Sequence, residues 1–223
     1  MAEQVESWQS GPYALEWASD DVLAPLLELP RRISTALVSD SGIDVRHVID
    51  LGSGQSAYLE RFLRTFPEAR GTWVDANKAM CELAQKRLAE LSDRVVYVLG
   101  DVERLDEAAL EPADVITTSR VLHHFSAESL QRVYGAAHAL LAPGGFLFNL
   151  DHVGAPGEWD KRYRRIRDRF TGPRKRELNP HRHDYPLAGP DEHLQWIAGA
   201  GFETPDVAWR TFYTVLLVAR RAA

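Results

Sequence analysis

Between residues 45 and 152, short apolar runs alternate with segments whose apolar residues recur at helical spacing. The runs are 45–51 (VRHVIDL), 71–76 (GTWVDA), 94–100 (RVVYVLG), 114–119 (DVITTS) and 146–151 (FLFNLD). Their near-continuous Val, Ile and Leu content predicts strands buried on both faces. Helical stretches fill the intervals at 55–66, stopped by Phe66-Pro67; at 77–91, striped by Leu83, Leu88 and Leu91; and at 126–141, stopped by Pro143-Gly144-Gly145. Alternation of this kind predicts βαβ units and a parallel sheet. Beyond residue 190 the pattern changes to one helix, 190–200, and two extended runs, 205–209 and 211–220, with Arg210 between them. That tail reads as an antiparallel hairpin on the sheet edge. The expected fold is α/β and Rossmann-like: a seven-stranded, mostly parallel sheet with a C-terminal antiparallel hairpin and helices on both faces.

Two segments stand outside the alternation. Residues 1–40 are helical in pattern and carry Trp8, Tyr13 and Trp17; residues 153–189 form an insertion rich in Gly, Pro, Arg and His. Ligands of open α/β sheets bind beyond the carboxyl ends of the strands, so an insertion after the fifth strand is placed to act as a lid. The expected organisation is one domain, 1–223: a helical cap (1–40), a cofactor-binding core (41–152), a lid insertion (153–189) and a closing helix and hairpin (190–223). The aromatics of the cap either pack a helix on the domain or close over the cofactor, excluding water.

Composition narrows the classes. At 223 residues, 45% hydrophobic and 26% charged, the chain is an ordinary globular one, long enough for one large core. No apolar run approaches the roughly 18 residues of a membrane span. Glu3, Glu6, Glu16, Asp20 and Asp21 leave no basic region ahead of an apolar stretch, so a secretory signal is not expected and the cytoplasm is the default. The single cysteine, Cys81, excludes an internal disulfide framework and a Cys-based zinc cluster. The net charge of −6 is unevenly spread: residues 161–176 hold nine Lys/Arg against Asp168, so that window is +8 and the rest of the chain −14. A uniformly basic face for nucleic acid is therefore absent. The basic segment itself is either a solvated helix face or a clamp for one anionic acceptor.

The chemistry concentrates at strand ends. VIDLGSGQSAYL puts Asp50 at the end of the first strand, with Gly52 and Gly54 in the turn before a helix. Glycines there permit a tight turn and close approach of a ligand to the backbone, and Gly52 to Ala57 also satisfies the G-x-G-x-x-A dinucleotide pattern. The carboxylates separate the readings. Asp50 suits a cationic amino-acid group, whereas a pyrophosphate would be repelled. Asp75 ends the second strand, where it can accept from both ribose hydroxyls, and Asp101 ends the third, where it can accept from an adenine amino group. The alternative for each is a helix N-cap.

The series IDLGSG, WVDAN, VLGDV, ADVITTSRVLHHF and LLAPGGFLFNLD resembles the consecutive motifs of class I SAM-dependent methyltransferases over residues 45–152. The tail ending VLLVARR is similar to that family's closing elements. The resemblance implies S-adenosyl-L-methionine (SAM) as cofactor and S-adenosyl-L-homocysteine (SAH) as product. It further implies that Asp50, Gly52 and Gly54 form the first motif, Asp75 with Ala76 the ribose site, and Asp101 with Val102 the adenine contacts, while Arg120 or its neighbours pass beside the methionine moiety. The chain departs from the family pattern at its third glycine position, which is Ser56.

Methyl transfer from a sulfonium is an in-line displacement, in which alignment is the main contribution and a general base adds typically ~10²–10⁴-fold. His123 and His124 follow the fourth strand; one of them is the candidate base, with loop support as the alternative. Asp151 and His152 end the fifth strand and face the same region, Asp151 either orienting a histidine, accepting from substrate or capping a turn. No adjacent Asp-Asn pair supplies a catechol-type metal site, and no metal is expected. In HRHDYPL, His181, His183, Asp184 and Tyr185 suggest a lid whose His183 or Tyr185 touches substrate. The reading is a methyltransferase acting on an O or N of a small-molecule acceptor, an anionic one among the options, with Tyr13, Trp17, His152, His183 and Tyr185 around it. Alternatives are a tRNA-type nucleic-acid methyltransferase using 161–176, and a SAM-binding protein without catalysis. Absence of an Asn-Pro-Pro-Tyr-type motif and the placement of Cys81 inside a helix count against the former. An NAD dehydrogenase is disfavoured by Asp50, Asp101 and the lack of a Tyr-x-x-x-Lys dyad. The expected partner is the small acceptor, with neither membrane nor nucleic acid; the oligomeric state is open, a homodimer among the options.

Overall fold

The computed structural model describes residues 24–171 and 185–223. Of the residues named above, Glu3, Glu6, Trp8, Tyr13, Glu16, Trp17, Asp20, Asp21, His181, His183 and Asp184 lie outside that range. The elements are α1 (Ala24–Ser41), β1 (His47–Leu51), α2 (Ala57–Thr65), β2 (Arg70–Asp75), α3 (Lys78–Arg87), β3 (Val95–Leu99), β4 (Ala113–Ser119), α4 (Ala127–Leu140), β5 (Leu141–His152), α5 (Trp159–Thr171), α6 (Pro190–Gly199), β6 (Glu203–Thr211) and β7 (Thr214–Arg220). Among the described residues no helix is long and apolar enough to cross a membrane.

The seven strands form one sheet in the order β3-β2-β1-β4-β5-β7-β6, parallel through β5, with β7 antiparallel to β5 and β6 antiparallel to β7. The seven-stranded Rossmann-like expectation therefore holds. Chain order reverses between β1 and β4, the switch point where ligands of such sheets bind. Successive strand residues point to opposite faces, and the two faces have separate cores. Val48, Trp73 and Phe148 meet Leu27 and Val38 of α1 and Tyr58 and Phe62 of α2. Ile49, Ile116 and Leu147 meet Leu130 and Val133 of α4 and Ile197 of α6. By this alternation Asp50 shares the α1–α2 face with Val48, whereas Asn149 and Asp151 share the α4–α6 face with Leu147.

Three boundaries differ from the sequence reading. The helix expected over 77–91 stops at Arg87, and Ala89–Arg94 continues as a 3₁₀ turn. The Arg94 guanidinium there donates to the carbonyl oxygens of Leu63 (3.1 Å), Pro67 (2.8 Å) and Ala69 (2.8 Å), tying the turn to the end of α2, where a cation is favoured. β5 starts at Leu141, directly after α4: the pairing shifts from Ala113–Leu141 to Val115–Phe146, so a bulge absorbs Pro143-Gly144-Gly145 instead of the chain breaking there. The hairpin turns at Phe212-Tyr213 between the paired Thr211 and Thr214, not at Arg210, which lies within β6. That turn lets Tyr213 bury its ring against His152, with centroids 5.1 Å apart.

Candidate active site

The glycine turn between β1 and α2 is held from β2. Ser53 donates its backbone N–H to Val74 O (3.0 Å), Gly54 donates its own to Asp75 Oδ2 (2.9 Å), and the Trp73 indole donates to Gly54 O (2.9 Å). Gly52 is left-handed at φ +62°, and a Cβ there would overlap the Val121 side chain on the loop after β4. Gly54 is also left-handed, at φ +51°, but a Cβ there would meet nothing within 4 Å, so this side of the turn is open. Ser56, at the third glycine position, adopts the same left-handed region (φ +66°) despite its side chain. The turn thus keeps its shape without the third glycine, against a backbone cost of about 1–2 kcal/mol.

Asp50 is 1% exposed and accepts from Ser53 Oγ (2.5 Å) and Thr117 Oγ1 (2.7 Å). Burial pushes its carboxyl up to about 6, against those two hydrogen bonds and the charge of Arg31, which draw it down. A carboxyl raised in the folded state gives stability that is complete below its unfolded value, about 3.9, and is lost as pH rises through about 6. Asp50→Asn should therefore raise the melting temperature of the ligand-free protein at pH 7.5, by an amount corresponding to roughly 1–3 kcal/mol, and leave it unchanged near pH 4. Calorimetry at the two pH values checks this; equal melting temperatures at pH 7.5 would mean that the buried charge is fully compensated.

Asp75, whose carboxyl is also raised by burial, accepts from Gly54 N–H and, through Oδ1, from Asn77 N–H (2.9 Å). It thereby joins two turns, with exposed Ala76 beside it. Asp101 is exposed and caps the 3₁₀ turn Val102–Arg104, accepting from Glu103 N–H at 2.9 Å, so the capping role is realised here. Val102 is buried in the core cluster of Ile49, Leu51 and Val74. Arg120 follows β4 in the left-handed region (φ +59°), its N–H donating to Leu150 O. A non-glycine residue held there is the kind of local strain that collects at functional sites.

Asp151 is fully buried, and its carboxylate accepts from His123 Nδ1 (2.5 Å), His123 N–H (3.1 Å) and His152 N–H (2.8 Å). Burial alone would raise this carboxyl. The His123 imidazole, by charge and hydrogen bond, and then His152, instead hold it well below the usual carboxylate range. With Nδ1–H given to an ionised carboxylate, the lone pair of His123 lies on Nε2. The His123 ring sits 4.1 Å from that of His124 and 5.0 Å from that of His152, by centroids. Of the two candidate histidines, His123 is the one with a carboxylate behind it. Tyr185 is exposed, with 43% of its surface open to solvent.

Several participants escaped the sequence reading: Trp73, Thr117 and a buried chain in which Asn149 Nδ2 donates to Tyr134 OH (2.9 Å) and Tyr134 OH meets His193 Nδ1 (2.7 Å). Burial keeps His193 biased to its neutral form. Only the parity of Asn149 with Asp151 along one strand hinted at this chain.

A family model described as a methyltransferase domain matches residues 48–145. Residues 48–145 thus resemble a methyltransferase domain. The 3-amino-4-hydroxybenzoate 4-O-methyltransferase of Streptomyces cremeus is 33% identical over 109 residues, which is 48% of this chain and 29% of that protein. Aclacinomycin 10-hydroxylase RdmB of Streptomyces purpurascens is 33% identical over 121 residues, 53% of this chain and 31% of that one. Human N-acetylserotonin methyltransferase, solved in complex with SAM, superposes with a TM-score of 0.69 at 16% identity, covering all of this chain and 60% of that one. The matched part of this chain thus spans about a third of the length of these curated relatives. The matched residues include the glycine turn, Asp75, Asp101, Arg120 and His123, while Asp151 lies just beyond them.

Proposed function

We propose that this chain is a SAM-dependent methyltransferase acting on an oxygen, or a nitrogen, of a small anionic acceptor. The observation that carries this is the His123–Asp151 pair at the carboxyl ends of β4 and β5, next to the glycine turn at the switch point. SAM, when bound, supplies a sulfonium-activated methyl group. Asp50, Gly54, Asp75, Ala76, Asp101 and Arg120 are the residues assigned to hold it. The fit is supported by the open side of Gly54 and by the buried hydroxyls of Ser56 and Ser119, which have no hydrogen-bond partner among the described residues. His123 takes the acceptor's proton at Nε2, Asp151 fixes its tautomer and balances the resulting charge, and His124 packs on the ring.

An anionic acceptor is supported by a run of rings leading outward. From His123 it passes to His152 and Tyr213, whose ring is covered by the guanidinium groups of Arg164 (4.9 Å) and Arg167 (5.5 Å) from α5. Arg164 and Arg167, two cations of the basic segment, therefore lie at the outer end of this run of rings, and the Streptomyces cremeus relative is named for a hydroxybenzoate. Tyr13, Trp17, His183 and Tyr185 are assigned to the enclosing cap and lid.

The test has two stages. Thermal stabilisation by SAH, SAM and NAD at equal concentration comes first; a ligand at about 100 times its Kd adds roughly 2.7 kcal/mol. Shifts with SAH and SAM alone support the cofactor, whereas a shift with NAD alone sinks it. Incubation with SAM and 3-amino-4-hydroxybenzoate follows, read by product mass. Because one relative is named a hydroxylase, a product carrying an added oxygen instead of a methyl group would favour that second reaction on the same core.

A further inference from the structure

The two faces of α5 differ in what they do for the fold. Inward, Tyr163 packs on Phe212, with ring centroids 5.9 Å apart, and the guanidinium groups of Arg164 and Arg167 cover Tyr213. Outward lie Lys161, Arg165 and Arg169, all exposed and four residues apart, so they form one stripe along the helix. Beside the stripe on the helix surface come Arg162 and then the exposed side chains of Trp159 (47%) and Ile166 (37%). Two acids of this stretch are already engaged: Glu158 pairs with Arg162 at 3.1 Å, and Asp160 with Arg164 at 2.8 Å. Lys161, Arg165 and Arg169 have no ion pair among the described residues. Like charges four residues apart repel, so the stripe works against the helix that carries it. An anionic surface laid along it would replace that repulsion by attraction.

We propose that this outward face docks another protein through an acidic helix. A partner helix with carboxylates at every fourth residue has the pitch of the stripe, which runs about 12 Å from Lys161 to Arg169 at a rise of roughly 1.5 Å per residue. The apolar edge favours a protein over other anionic partners. Trp159, with the Arg162 guanidinium 5.3 Å from its ring, joins two of the residue types that most often anchor protein interfaces. A membrane surface calls for a broad apolar face, and here Trp159 and Ile166 make only a narrow edge. A long nucleic acid would run past the stripe onto a chain whose charge outside residues 161–176 is −14. A compact protein needs to touch only the helix. Docking there also has a consequence for the site. The inward face of the same helix covers Tyr213, whose ring reaches His152 beside His123, so the partner stands at the outer end of that run of rings.

The test uses the full chain and a labelled synthetic helical peptide with Glu at every fourth position and Leu beside it, read by fluorescence anisotropy. A matched peptide with Gln in place of Glu, a single-stranded RNA and vesicles containing phosphatidylglycerol are the competing probes. The Glu peptide should bind about tenfold more tightly than the Gln peptide, and more tightly than RNA or vesicles. Arg165→Glu should weaken it by about tenfold, and Trp159→Ala by about threefold. A peptide with Lys in place of its central Glu should then bind the Arg165→Glu protein better than the wild type, a reversal that loss of structure does not produce. Should Arg165→Glu fail to fold, Lys161→Gln combined with Arg169→Gln removes two charges without adding one and should weaken the Glu peptide in the same direction. No binding of the Glu peptide to the wild type, or equal binding to wild type and folded variants, overturns the proposal. Tighter binding of RNA or of vesicles overturns it as well. No cofactor enters the measurement, so either outcome leaves the SAM reading untouched.

Discussion

Asp151→Asn is expected to lower kcat by about 10²–10³-fold while SAH affinity stays within about threefold. The carboxylate accepts from three N–H groups at once: His123 Nδ1, His123 backbone and His152 backbone. An asparagine offers one acceptor oxygen and one amide nitrogen. If its oxygen faces Nδ1, its NH₂ group opposes the His123 backbone N–H. If it flips, the NH₂ faces Nδ1, and the imidazole must carry its proton on Nε2, which removes the proposed base. Both arrangements leave a buried donor unsatisfied, costing about 1–3 kcal/mol of stability. The pH behaviour has a definite sign. A carboxyl held below its usual value contributes stability above the unfolded value, about 3.9, that is lost as pH falls through the lower folded one. The wild type should therefore lose stability in acid below about pH 4 more steeply than the variant. Single-turnover kinetics with the accepted substrate, together with SAH titration, check the first part. Unchanged kcat would remove His123–Asp151 from the chemistry.

Gly52→Ala should lower stability by about 2–5 kcal/mol, or very roughly 5–15 °C in Tm for a chain of this length, and should impair SAH binding. Two effects add. The backbone at φ +62° is left-handed, which costs a side-chain-bearing residue about 1–2 kcal/mol. The new methyl would also lie 2.8 Å from Val121 Cγ1 and closer still to Cγ2, so either the turn or the loop leading to His123 must move. Gly54→Ala isolates the first effect, because its Cβ would enter open space at φ +51°. It should unfold at a higher temperature than Gly52→Ala, by an amount that Val121→Ala combined with Gly52→Ala largely recovers. Equal melting temperatures for the two glycine variants would show that Val121 does not constrain the turn. The packing makes the glycine turn and the loop that carries His123 one mechanical unit, so damage to either is felt at both.

The parts of the site legible in the sequence are those made by neighbours along the chain. The D-x-G-S-G turn and Asp75 and Asp101 at strand ends each announce themselves within about ten residues, because turn geometry and strand periodicity are local properties. The mostly parallel sheet with its antiparallel tail followed from the same source: alternation of β-rich and helical patterns leaves few topologies open. Boundaries were less legible where a distant group decides them. The 3₁₀ turn after α3 is stitched by Arg94 to carbonyls 25 to 31 positions away. The hairpin turns at Phe212-Tyr213, where Tyr213 finds its place against His152.

By itself, then, the sequence determined an α/β sheet with a glycine turn and three strand-end carboxylates, since backbone conformation and hydrophobic periodicity need no partner to express themselves. The tertiary structure decided which of two adjacent histidines is backed by a carboxylate, and that Asp151 is the one behind it, 28 positions away. It also decided that Trp73 pins the glycine turn and that Thr117, 67 positions off, satisfies Asp50. The physical reason is pairing: side chains far apart in the chain come within hydrogen-bond reach only when parallel strands lie about 4.8 Å apart in a definite register, and no local pattern encodes that register.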